Sequence, residues 1–202
     1  PVEVRDLYWT AYQKPALMLR LLRETVLGHE AFDAAFRTYI RRWAFRHPQP
    51  ADFFRTVENV SGRNLDWFWR DWVYTTARLD QAVDSVVGPS RGSRGRTRAP
   101  EPALAGNQSF GRAPEPAGTE PPDVTRIYLS NRLRMVMPAT LKLGYADGSS
   151  ETIDLPVEIW DLGDRFAYAA ETGGKRVVRA ELDPGHVLPD LDRKNNVWPR
   201  GR

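Results

Sequence analysis

The sequence predicts an α + β chain: an all-α helical subdomain over residues 1–87, a linker over residues 88–123, and a small antiparallel β-sandwich over residues 124–202. Three observations predict it. Through roughly the first eighty positions apolar residues recur at three- and four-residue steps, the period of an amphipathic helix. Beyond the linker they alternate one by one, the period of a half-buried strand. Between the two, Gly88 to Asp123 holds PSRGSRGRTRAPEPALAGNQSFGRAPEPAGTEPPD, too poor in apolar side chains to offset the entropy of ordering it, and it reads as disordered.

The elements follow in order. From Pro15 to Leu27 the run PALMLRLLRETVL is built of strong helix formers, opens on Pro at a tolerated first-turn position and stops at Gly28. A second helix is predicted over about Glu30 to Arg46, with Phe32, Phe36, Tyr39, Ile40 and Trp43 on a core face and Arg37, Arg41 and Arg42 between them. His47-Pro48-Gln49-Pro50 interrupts it, because each Pro disfavours helix at the residue before it. A third helix runs from near Ala51 to Ser61-Gly62, with Phe54, Val57 and Phe53 on its apolar side. The fourth, LDWFWRDWVYTT, sets Leu65, Phe68, Trp69 and Trp72 on one side behind a capping Asn64. LDQAVDSV reads as a short extended exit from the helices. The strands are expected in MVMPATLKLGYADG, SSETIDLPVEIW, DRFAYAAETGG and KRVVRAELDP, separated by Asp-Gly and Gly-Gly turns. Gly144 to Gly148 belongs to a hairpin, not a phosphate loop.

Composition excludes several classes. The absence of Cys removes disulfides, zinc–thiolate clusters and thiol nucleophiles, and suits either side of a membrane, so the compartment stays undetermined, an extracytoplasmic one being favoured. No apolar run approaches the roughly 20 residues of a membrane span. Pro1 stands where an initiator Met is expected, which places any export signal upstream. The net charge of +3 comes mostly from Arg scattered among acidic residues, a solvated mixed surface and not a nucleic-acid interface. Arg91 to Arg98 could contact phosphates, but reads better as a solvated spacer.

Tyr12-Gln13-Lys14-Pro15 running into ALMLRLLRETVLG resembles the gluzincin aminopeptidases of the M1 metallopeptidase family, which carry Tyr-x-Lys-Gly before a comparable helix. Phe32 to Tyr39, Asp52-Phe53-Phe54, Val60-Ser61-Gly62 and Leu65-Asp66-Trp67-Phe68 continue the resemblance over most of residues 8 to 86. Glu181-Leu-Asp-Pro184 and the stretch Leu188 to Asn196 look like the closing strand and tail of bacterial members with a C-terminal Ig- or fibronectin-like β domain. The resemblance implies the C-terminal end of a catalytic domain that hydrolyses N-terminal residues from peptides, with the upstream catalytic segment as partner.

For Tyr12 the resemblance implies a phenol that hydrogen-bonds the scissile carbonyl oxygen as it becomes an oxyanion beside zinc. Without the resemblance, Tyr12 reads as an aromatic near a helix start with its hydroxyl on solvent or a backbone carbonyl. Lys14 is at most supporting. Pro15 replaces the commoner Gly and removes a donor that a first helical turn leaves unpaired anyway. The serious departure is the zinc site: the family's His-Glu-x-x-His, whose Glu is the general base, and its further Glu are not in this chain. His29-Glu30 fails because Asp33 stands where the second ligand belongs, and His29, His47 and His186 read as surface residues. Zinc is therefore expected in the whole enzyme, on ligands outside this chain, and the 202 residues alone are expected to be inactive. Asp190, Asp192, Asn195 and Asn196 do not match a calcium loop. The rival reading is a non-catalytic interaction module of the same fold.

Overall fold

The computed structural model describes residues 7–88 and 124–201, so nearly all of the expected linker lies outside the described residues. The helix starts before the expected Pro15: Gln13, ahead of α1 (Lys14–Leu21), is already αR and the chain is helical from residue 7, so Pro15, which has no N–H, stands inside a continuous helix. Wider π-helical turns, Trp9–Gln13 and Leu22–Val26, extend α1 at both ends. The chain then leaves the helix at Gly28, whose φ of 81° suits a residue without a Cβ. α2 (His29–Trp43) ends before the expected Arg46: Ala44 turns out to ψ 129° and Phe45 takes φ 62°, reversing the chain towards α3 (Pro50–Ser61). A reciprocal capping box between Gln49 and Asp52 opens α3, and Gly62 at φ 68° closes it. α4 (Asp66–Trp69) continues into a π-helical turn, Arg70–Tyr74. The N-cap is Leu65 and not the expected Asn64, which stands one residue earlier and accepts from the Asp66 N–H at 2.9 Å in a local turn.

Leu65, Phe68, Trp69 and Trp72 are all buried, so the predicted face of α4 is the core of the helical unit. One Glu58 carboxylate oxygen accepts from the Leu65 N–H at 3.0 Å and from the Trp69 indole at 3.2 Å, fastening α3 to α4. The predicted core face of α2 is only half covered. Phe32 is buried, but Phe36 and Ile40 are 38% and 52% exposed. Phe36 stacks on Phe32 and meets Phe53 edge-on, leaving one side of its ring open.

Among the described residues seven strands form the β unit: β1 (Gln81–Val87), β2 (Val124–Asn131), β3 (Ala139–Tyr145), β4 (Ser150–Leu155), β5 (Arg165–Glu171), β6 (Val177–Leu182) and β7 (Val197–Trp198). They make two antiparallel sheets, ordered β1-β2-β5 and β4-β3-β6-β7. Ile127 and Leu129 from one sheet face Leu141, Leu143, Ala180 and Leu182 from the other, the interior of a sandwich. The β3–β4 hairpin turns at Asp147-Gly148, as expected, with Gly148 at φ 83°.

Three expectations for the β unit need correction. Residues 81–87 do not leave the helices as an exit: they pair with β2 and belong to the sandwich, so its start moves from residue 124 to Gln81. The bulge between Val83 and Ser85 breaks the alternation that would have disclosed the strand. β2 and β7 were not anticipated, since Val124–Asn131 begins in linker-like composition and β7 has two residues. Val157–Trp160, read as the end of a strand, is a 3-10 turn that follows Pro156.

The two units share apolar material. Leu79, Met135, Met137 and Leu188 from the β side pack in the same cluster as Leu21, Phe68 and Trp72. The Met135–Met137 backbone is held from several directions. Asn131 Nδ2 donates to Met135 O at 3.0 Å, and both Gln81 Nε2 and the Trp160 indole donate to Met137 O, at 2.9 and 3.0 Å. The Val136 N–H donates to the buried Asp71 carboxylate at 2.9 Å. A carboxylate from the helical unit thus satisfies a backbone donor of the β unit.

Candidate functional site

Tyr12 lies in the π-helical turn that precedes α1, a backbone form over-represented at functional sites. Its ring tilts against Tyr8 at 5.8 Å between centroids, while Gln13 Nε2 donates to the Tyr8 hydroxyl at 2.9 Å. Tyr12 is 66% exposed, and its hydroxyl has no hydrogen-bond partner among the described residues. The free phenol is a donor facing water, which fits both readings of this residue given by the sequence.

Leu7, Tyr8 and Trp9, at and just before the start of the turn, are exposed as well, an apolar belt on the segment that carries the phenol. Next to it an open groove of about 560 Å³ is lined by Trp9, Thr10, Gln13, Lys14, Leu17 and Arg20; Tyr12 does not line it. Lys14, half-buried, is on that groove.

The three histidines are scattered and exposed. Asp33, which occupies the place of a second ligand after His29, is engaged elsewhere: its two oxygens take the Arg23 guanidinium at 2.7 and 3.0 Å. That fork lowers the Asp33 carboxyl below the ordinary carboxylate range and raises Arg23. Among the described residues no group of three His, Cys, Asp or Glu side chains converges to hold a metal ion. The metal that the family resemblance implies has no seat on these residues.

The acidic, amide-rich tail is committed to structure. Asp190 accepts from the Gln81 and Asp192 N–H groups, at 2.8 and 2.9 Å. Asn195 Nδ2 donates to Asp80 at 2.7 Å and to Asp192 at 3.3 Å. Burial, the largest influence, pushes the Asp190 carboxyl upward. These residues clasp the start of β1 to the chain's tail.

One feature of the junction was not legible in the sequence. Asp71 sits between Trp69 and Trp72 on an apolar helix side, and an acidic residue there is a signal of a buried partner. Its partners, Val136 N–H and Arg70 Nε at 2.9 Å, are distant or ordinary in sequence terms.

With this geometry in place, residues 1–72 match the family model described as the peptidase family M1 domain. No curated protein sequence matches the chain. Among solved structures, the crystal structure of Legionella pneumophila aminopeptidase A in complex with aspartic acid is similar over 94% of this chain, with a TM-score of 0.60 and 15% identity. At that identity the likeness is one of fold, and it extends through both the helical unit and the sandwich. The chain spans 18% of the length of that aminopeptidase.

Proposed function

We propose, from the match of residues 1–72 to the peptidase family M1 domain, that the chain is the C-terminal portion of an M1-type aminopeptidase that releases N-terminal residues from peptides. Tyr12 is its oxyanion donor. The observation that carries the reading is the unengaged Tyr12 hydroxyl, exposed on a π-helical turn inside the segment that matches the family. A neutral phenol aimed at developing negative charge stabilises the tetrahedral intermediate more than the carbonyl it forms from, so it speeds the chemical step.

The zinc of such an enzyme, with its ligands and general base, belongs to the upstream catalytic segment of the polypeptide. The apolar belt of Leu7, Tyr8 and Trp9 is the surface that segment covers. What these residues contribute is the donor, the groove wall at Lys14 and Leu17, and the helices that hold both.

The encoding DNA read in frame upstream of Pro1 is the first test: His-Glu-x-x-His with a later Glu supports the reading, and translation starting at or just before Pro1 overturns it in favour of an interaction module. In the full polypeptide, Tyr12→Phe should lower kcat on aminoacyl-p-nitroanilides by about 10²- to 10³-fold with KM little changed. Unchanged kcat removes Tyr12 from the chemistry. The 202 residues alone should show no chelator-sensitive hydrolysis.

A further inference from the structure

The junction of the two units contains a cleft of about 610 Å³ that the peptidase reading does not use. Its wall carries three guanidiniums, those of Arg70, Arg78 and Arg134, against the single carboxylate of Asp71. That carboxylate is buried and already occupied, by Val136 N–H and Arg70 Nε. Arg78 and Arg134 are exposed, and their guanidinium groups have no carboxylate or hydrogen-bond partner among the described residues. Elsewhere on the described surface many Arg side chains find acids: Arg20 with Glu24, Arg132 with Asp84, Arg179 with Glu181.

The backbone brings these two arginines together. Arg78 and Arg134 form an isolated parallel bridge, with Met135 N–H donating to Arg78 O at 3.2 Å and Arg78 N–H to Leu133 O at 3.3 Å. Arg134 adopts φ 71°, a left-handed conformation that a residue with a Cβ rarely takes unless its surroundings hold it there. Strain therefore accompanies the placement of a second unpaired cation beside the first.

We propose that this cleft binds an oxyanion, a carboxylate or phosphate group on a small ligand, between Arg78 and Arg134, with Arg70 at its edge. Two guanidiniums offer planar forks of N–H donors that match such groups, and concave walls strengthen their field. Because one arginine follows the helical unit and the other lies in the β2–β3 connection, the bound anion clamps the junction.

The test is calorimetric titration and thermal melting of the full chain with inorganic phosphate and with glutarate, each against sodium chloride at equal ionic strength. Binding of phosphate, glutarate or both above the chloride control supports the site, and the preference between them identifies the source of the oxyanion. Arg78→Gln with Arg134→Gln should weaken that binding roughly ten-fold or more, and Arg70→Gln less. Both side chains of the pair are exposed and make no side-chain hydrogen bond or ion pair among the described residues, so the double variant is expected to fold; circular dichroism checks this, and Arg134→Gly, which relieves the φ strain, gives a second variant that should also lose affinity. A response no larger than that of chloride, or an unaltered response in a folded double variant, overturns the proposal.

Discussion

The sandwich and the helical unit bury their apolar residues in different ways. The sandwich closes on itself: Ile127, Leu129, Leu141, Leu143 and Leu182 are buried between two sheets that both belong to it. The helical unit borrows Met135, Met137 and Leu188 from the β side to complete its core, and still leaves Leu7, Tyr8, Trp9, Ile40, Phe45 and Tyr74 exposed. An exposed apolar side chain here and there is ordinary, but these are spread along the helical unit, whereas the sandwich keeps its largest side chains inside. The difference teaches that dependence runs one way, with the helices relying on the sandwich more than the sandwich relies on them.

The largest effect that can break this comparison comes from the two cores. Phe68→Ala removes a fully buried ring and should cost about 3–5 kcal/mol, and Leu141→Ala about 2–5 kcal/mol. Their spatial reach should differ. Amide hydrogen exchange followed by mass spectrometry should show Phe68→Ala exposing α1, α3 and α4 while β3 and β6 stay protected. Leu141→Ala should loosen both units, because the Met135–Met137 segment leads directly into β3. Equal loss of protection in β3 from Phe68→Ala would mean one cooperative body and end the one-way account.

Asp71 sharpens the comparison at its seam. Asp71→Ala leaves the Val136 N–H without its acceptor and frees Arg70, for an expected loss of about 1–3 kcal/mol in denaturant unfolding. Asp71→Asn, whose amide oxygen can still accept, should recover much of that. If both variants unfold like the parent, the bond contributes nothing to docking and the shared apolar cluster alone holds the units together.

Much of this was legible beforehand where local chemistry and tertiary structure agree. Gly28 and Gly62 ended helices because a left-handed or open φ needs no Cβ, and the Leu65, Phe68, Trp69, Trp72 face was buried because its spacing is helical. The misses share a cause. β1 carries a bulge that spoils its alternation, β2 starts where linker composition ends, and β7 is too short to have a period. All three are defined by partners far away in sequence, as are Asp71 with Val136 and Arg78 with Arg134. Tyr12 was readable only through its motif, since its ring contact with Tyr8 is an ordinary four-residue helical pair and its hydroxyl has no hydrogen-bond partner among the described residues.

The smallest expected effect sits on the sandwich's solvent side, where the β3–β4 hairpin has an electrostatic fastening quite unlike the buried one at Asp71. Asp147 accepts from the Ser149 hydroxyl at 2.6 Å and the Ser149 N–H at 2.9 Å, and pairs with Lys175 at 3.2 Å. These donors, Ser149 foremost, hold its carboxyl down to about 2. A folded-state value below the unfolded one means that the ionised carboxylate favours the fold. Its contribution is complete above the unfolded value of roughly 4 and fades as pH falls through about 2. Asp147→Asn should therefore lower stability slightly at pH 7 and narrow the gap to the parent between roughly pH 4 and pH 2. Solvent screening at this exposed turn keeps the effect near the limit of a denaturant titration, so the change in slope with pH is the better readout. A gap that stays constant down to pH 2 would assign the loss to the turn's hydrogen-bond geometry and not to its charge.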